Sequence, residues 1–126
     1  ILSVNVAGYA EAGDKPEAHS ADRIYRAAEQ YIDRIKANPE WGYIVRGILA
    51  DNVPRGTEYK GIKVLGRIDN LMIVLGNKLD EIAITLGLAE YHKLEKIVGM
   101  CEKSGVHTKF IPDYNNIIPT NHIRKI

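Results

Sequence analysis

A chain of 126 residues, 45% hydrophobic and 26% charged, is the size of one ordinary domain and needs only one core. Its 17 Lys plus Arg against 16 Asp plus Glu leave a formal charge of +1, with both signs mixed along the sequence, so charge marks no nucleic-acid partner. The lone Cys101 excludes an intramolecular disulfide, and no apolar run approaches the roughly 20 residues that span a bilayer.

Ile1 to Ala7 reads as a first strand ending at Gly8. With apolar Ile1 and Leu2 at the front and no initiator Met, further sequence is expected upstream. Gly8 to Ser20 is rich in glycine and polar residues, with Pro16 among them, and must contain a loop. A helix is expected after Ser20, which can cap it, with Asp22 in the favourable first turn. Ile24, Ala27, Ala28, Tyr31, Ile32 and Ile35 then recur at three- and four-residue spacing and form one apolar stripe. Asn38-Pro39 stops that helix. Trp41 and Gly42 turn the chain into a second strand, Tyr43 to Leu49, with Ile44, Val45, Ile48 and Leu49 as core residues. Val53-Pro54-Arg55-Gly56 reads as a turn and Gly61 to Gly66 as a short third strand. Asn70 to Leu75 reads as a short helix capped by Asp69, with Leu71, Met72 and Leu75 facing inward.

Asp80 to Gly87 organises the rest. Ile82, Ala83, Ile84 and Leu86 run without strict polar alternation, the pattern of a parallel strand covered by helices on both faces. A helix from Glu90 or Tyr91 to Ser104 follows, with Tyr91, Leu94, Ile97, Val98 and Cys101 on its inner side and Gly105 placed to end it. His107 to Ile111 is the last strand. The domain is assigned to residues 1–113, and residues 114–126 are expected to form an irregular tail. These elements specify an α/β fold with a Rossmann-like parallel sheet in the strand order 3-2-1-4-5 and helices on both faces.

In such sheets ligands lie beyond the carboxyl ends of the strands. The glycines of Gly8-Tyr-Ala-Glu-Ala-Gly13 could let a backbone approach a phosphate held at the next helix start. The run matches neither G-x-G-x-x-G nor the phosphate loop, which requires lysine where Asp14 stands, and a plain connecting loop is the other reading. Asp51, at the tip of the second strand, occupies the place of a ribose-holding acid, although it follows Gly13 at more than the usual spacing of roughly 20 residues. A solvated loop carboxylate is its other reading. Gly87 and Leu88 would border the base or sugar. His19, His92, His107 and His122 show no zinc-ligand spacing, His92 and Glu95 read as surface polarity, and Cys101 reads as a small buried hydrophobe. No catalytic residue and no metal ligand is assigned. Trp41, Tyr43, Tyr59 and Tyr114 fall in turns or at edges, where they could serve a partner surface or be ordinarily half-buried.

Four linked blocks carry a resemblance: Asn38-Pro-Glu-Trp-Gly-Tyr-Ile-Val-Arg-Gly-Ile-Leu-Ala-Asp-Asn52, Gly61-Ile-Lys-Val-Leu-Gly-Arg-Ile-Asp-Asn-Leu71, Lys78 to Glu95, and Cys101 to Tyr114. Together they resemble the soluble Rossmann-like, CoA-binding-like domain of bacterial polyprenyl-phosphate sugar phosphotransferases, enzymes that start capsule and exopolysaccharide synthesis. The resemblance implies a domain on the cytoplasmic side of the inner membrane, accompanied in its parent protein by transmembrane helices and a separate catalytic domain. It departs from the family at the front, where Ala10 to Ser20 intervenes, and at Ala50, where an acid is common.

The first expectation is therefore a non-catalytic regulatory or assembly domain of a polyprenyl-phosphate sugar-1-phosphate transferase, with homodimerisation expected and no nucleic-acid partner. The second is a module that binds a nucleotide, UDP-sugar, NAD or CoA through Gly8, Gly13, Asp51, Gly87 and Leu88. A nucleotide-sugar-modifying enzyme ranks third, because no Tyr-x-x-x-Lys pair sits on a helix near the point where the strand order reverses.

Overall fold

The computed structural model describes residues 2–7, 24–76 and 78–112. Gly8, Gly13 and the expected tail lie outside these. The strands are β1 (Leu2–Ala7), β2 (Ile44–Leu49), β3 (Glu58–Tyr59), β4 (Ile62–Gly66), β5 (Glu81–Thr85) and β6 (His107–Phe110). They make one six-stranded sheet in the order β3-β4-β2-β1-β5-β6. All neighbours run parallel except β3 and β4. The helices are α1 (Arg26–Ala37), α2 (Leu71–Leu75) and α3 (Leu94–Ser104), with 3-10 turns at Pro39–Trp41, Ile68–Asn70 and Leu88–Lys93.

Both faces of the sheet are covered, and the side-chain alternation of β5 shows how. Ile82 and Ile84 join Leu71 of α2 and Ile97 and Cys101 of α3 in one buried cluster. Ala83, one residue out of phase, joins Tyr31 and Ile35 of α1 on the opposite face. β2 repeats the division: Leu49 belongs to the α2 and α3 side, whereas Ile48 packs with Ile24, Ala28 and Ile32. Every residue of β5 is buried, which is why its sequence lacks the alternation of a half-exposed strand. Cys101 is wholly buried in this core, and that burial raises its thiol above the ordinary value despite a hydrogen bond with Thr108.

The sheet is not purely parallel as expected. Glu58–Tyr59 and Ile62 onward form a hairpin about Lys60 and Gly61, whose φ values of 50° and 85° suit a two-residue turn with both central residues left-handed. A two-residue strand is too short to carry a periodic signal. The hairpin is tied to α1 by Asp33, whose Oδ1 accepts from the Tyr59 hydroxyl at 2.8 Å and meets Lys60 Nζ at 2.7 Å.

Further local expectations are corrected. Ile44 is 57% exposed rather than buried: β2 advances from Val45 to Gly47 while β1 advances from Ser3 to Val4, a bulge that interrupts the inward alternation. Asp69 does not cap α2. It pairs with Lys96 at 3.2 Å, and the first turn is closed by Asn70, whose Oδ1 accepts from the Arg67 amide at 3.0 Å. Met72, expected inward, is exposed on a helix reduced to Leu71–Leu75. The third helix also begins later than expected, at Leu94, because Leu88–Lys93 winds as a 3-10 turn. α1 starts at Arg26, with Tyr25 as its N-cap and Glu29 as the acid of its first turn, not after Ser20 with Asp22 in that place; it ends as anticipated at Asn38, whose Nδ2 donates to the Arg34 carbonyl at 2.8 Å.

Candidate functional site

At the carboxyl ends of β2, β4 and β5, three chain segments converge on Asp51. Its Oδ1 accepts from the Ile68 amide at 3.1 Å, and its Oδ2 accepts from Lys93 Nζ at 2.9 Å. Arg67 Nε stands 3.7 Å from Oδ1. Lys93 also donates to Glu90 Oε2 at 2.8 Å, so one ammonium bridges two carboxylates and joins the segment after β5 to the tip of β2. Burial alone would raise the Asp51 carboxyl. The hydrogen bonds from Lys93 and Ile68 and the charges of Lys93 and Arg67 outweigh it and hold the group below the ordinary carboxylate range. Burial would likewise lower the Lys93 ammonium, but its bonds to Glu90 and Asp51 hold it above the ordinary value.

Beside this cluster, between the end of β4 and α2, lies a cavity of about 480 Å³ lined by Arg55, Arg67, Asn70, Leu65, Ile73 and Val74 among others. Gly66 shapes it. A Cβ there would lie 2.6 Å from Asn70 Oδ1, so glycine alone lets the Asn70 side chain fold over the strand end and close the turn at Arg67. The volume falls within the roughly 300–1,000 Å³ of ligand clefts. Two guanidinium groups and four aliphatic side chains, Leu49 with Leu65, Ile73 and Val74, give it a lining both cationic and apolar.

Gly87 begins the 3-10 turn after β5 and its carbonyl accepts from the Glu90 amide at 2.9 Å. The buried ring of Tyr25, at the entry to α1, lies against it: a Cβ on Gly87 would meet Tyr25 Cζ at 3.3 Å. Leu88 next to it is exposed. Of the residues expected at the rim, Asp51 is thus linked through Lys93 and Glu90 to Gly87, while Gly8 and Gly13 lie outside the described residues. Sequence reasoning missed Lys93, Glu90, Arg67 and Arg55. Glu90 and Lys93 carried the one available signal, opposite charges at i,i+3; the arginines became visible only when the β4 end and the turn after β2 met in space.

A second polar group sits at the amino end of β5. The Tyr43 hydroxyl donates to Glu81 Oε2 at 3.3 Å and accepts from Lys109 Nζ at 3.3 Å. That ammonium also stands 5.0 Å from the Tyr43 ring centroid and 5.8 Å from that of Tyr31. Tyr43 is thereby committed internally, as Tyr59 is through Asp33, and of the aromatic residues singled out from sequence Trp41 is exposed. The Tyr31 hydroxyl and Glu81 Oε1 are buried with no hydrogen-bond partner among the described residues. Burial, with the Glu81 charge adding to it, pushes the Tyr31 phenol above its ordinary value. An unmatched buried hydroxyl costs about 1–3 kcal/mol, so Tyr31→Phe should leave the unfolding free energy unchanged or raise it by about 1 kcal/mol. Urea unfolding showing a loss above that size would mean the hydroxyl is bonded.

Among the described residues no group of three or more His, Cys, Asp or Glu could hold a metal ion, and no helix is long and apolar enough to cross a membrane. A charged, partly apolar crevice beyond the strand ends is where ligands lie in open α/β sheets. The family model described as a CoA-binding domain matches residues 9–112, most of the chain, and the chain belongs to that family. No curated protein and no solved structure matches it.

Proposed function

We propose that this chain is a non-catalytic, Rossmann-like nucleotide-binding domain, with CoA or a related nucleotide bound across the rim formed by Asp51, Arg67, Gly87 and Leu88. The family match over residues 9–112 carries the reading. The state of the rim supports its non-catalytic part: Lys93 and Asp51 are bonded to each other, and Lys93 to Glu90, so their charges hold the strand ends together rather than stand ready for proton transfer. The wider role is regulation or assembly of a polyprenyl-phosphate sugar-1-phosphate transferase. Its support is the set of linked blocks that begins at Asn38 and ends at Tyr114.

Titration calorimetry of the chain with CoA, NAD and a UDP-sugar tests the proposal. CoA should give saturable heat at submillimolar concentration, and the chain should show no sugar-phosphate transfer to a polyprenyl phosphate. Silence from all three ligands at millimolar concentration would reject nucleotide binding, and transfer by the chain alone would reject the regulatory role.

A further inference from the structure

The acid at the tip of β2 is the group that ordinarily holds a ribose diol in a sheet of this kind, yet here both of its oxygens are spoken for. Ile68 N–H occupies Oδ1 and Lys93 Nζ occupies Oδ2, and Asp51 is only 17% exposed on its side chain. A ribose with two free hydroxyls would have to displace an ammonium already shared with Glu90. The groups next to Asp51 that remain open are of opposite character. Arg67 has one loose partner, Asp51 at 3.7 Å, and Arg55 has no ion-pair partner among the described residues. Both line the cavity between β4 and α2, together with Leu65, Ile73 and Val74.

We infer that the cavity carrying Arg55 and Arg67 is a site for a phosphate monoester on the ribose of a nucleotide, the base lying against Leu65, Ile73 and Val74. The inference rests on the nucleotide-binding reading above and narrows it to nucleotides with a phosphorylated ribose, such as the 3′-phosphate of CoA or the 2′-phosphate of NADP, in preference to those with a plain diol. The chemistry follows from the donors. A guanidinium presents a planar fork that matches phosphate oxygens two at a time, whereas a diol needs an uncommitted acceptor such as a free carboxylate. Asp51 does not repel the phosphate as a bare anion would, because Lys93 and Arg67 stand on its two oxygens. Leu65 and Ile73, which line the same cavity, are exposed aliphatic side chains suited to the face of a purine.

The test is calorimetry of the 126-residue chain at fixed, moderate salt with CoA against 3′-dephospho-CoA, and with NADP against NAD. CoA should bind about tenfold or more tightly than dephospho-CoA, as expected for two arginine contacts to a phosphate. Arg55→Ala and Arg67→Ala should each remove most of that preference, and Arg55→Ala, at a residue outside the rim that holds the rest of the nucleotide, should leave dephospho-CoA affinity within about twofold. Arg55→Lys, which keeps the charge and loses the fork, should restore part of it, and unchanged thermal midpoints should show that the variants fold. A matching preference for NADP over NAD would identify the ribose phosphate itself as the recognised group. A preference for CoA alone would assign the site to the 3′ position. Equal affinity for CoA and dephospho-CoA would overturn the inference and leave nucleotide binding standing. A preference that survives both alanine variants would place the phosphate elsewhere and overturn it as well. Absence of binding by every ligand would reject the underlying reading.

Discussion

The Lys93→Met protein is expected to unfold with about 2–4 kcal/mol less free energy than the native protein at pH 7. Exposed ion pairs contribute roughly 0–1 kcal/mol and breaking a buried one costs roughly 3–5. This one lies between: the side chains of Lys93, Asp51 and Glu90 are 24%, 17% and 5% exposed. Methionine preserves most of the packing of the stem, so the loss falls on the two carboxylates, which then face each other without the ammonium that bridged them.

The dependence on pH separates this cause from simple loss of packing. Because the Asp51 carboxyl is held below its ordinary value in the native protein, its contribution is fully present above the unfolded value near about 3.9 and is lost as pH falls through the folded value. Because the Lys93 ammonium is held above its ordinary value, its contribution is present below about 10.4 and is lost as pH rises through the folded value. The native protein should therefore hold this stabilisation between about pH 4 and pH 10. In Lys93→Met the Asp51 carboxylate, having lost the ammonium, takes up a proton more readily, so the difference between the two proteins should shrink as pH is lowered toward 4. Denaturant unfolding across that range checks both statements. A difference below 0.5 kcal/mol at pH 7, or one that does not change with pH, would show that the bridge contributes no electrostatic stability.

The elements that could be read from the residues are those with a repeating reason. The α1 stripe reads directly because Ala28, Tyr31, Ile32 and Ile35 are all buried, with Ile24 buried just ahead of the helix, and β5 reads directly because a strand with helices on both faces has no exposed positions to alternate. The Asn38-Pro39 stop and the Gly105 helix end follow from local backbone chemistry alone. What escaped was decided by contacts between distant segments. The β3–β4 hairpin depends on two left-handed residues and on Asp33 of α1, and Ile44 is exposed because of a bulge that only pairing with β1 reveals. At the rim the placing of Asp51 at a strand tip was legible, but its commitment to Lys93 was not, since the partner lies on a turn whose 3-10 winding sequence periodicity had assigned in part to a helix. The cavity escaped for the same reason, because Arg55 and Arg67 line one space only after β4 has paired with β2.

Ile84→Ala is expected to cost about 2–5 kcal/mol, the range for deleting a large aliphatic side chain from a close-packed core. Ile84 has no solvent exposure and packs in one cluster with Leu86, Ile97 and Cys101, on a strand hydrogen-bonded to β1 on one side and β6 on the other. Paired strands on both sides restrict how far the backbone can close over the space left behind, which places the cost toward the upper part of the range. Ile84→Val, which removes one methyl, should cost about 0.5–1.5 kcal/mol. Ile73→Ala changes a side chain 69% exposed and should stay within about 0.5 kcal/mol. The ordering of these variants tests the architecture more than any one value does, because it requires β5 to be covered by α2 and α3 while α2 leaves Ile73 open. Urea unfolding in which Ile73→Ala costs as much as Ile84→Ala would place the core elsewhere. A domain stabilised by about 5–15 kcal/mol would lose much of its margin with Ile84→Ala, and the rim on which the ligand is proposed to bind would lose the strand that positions Gly87.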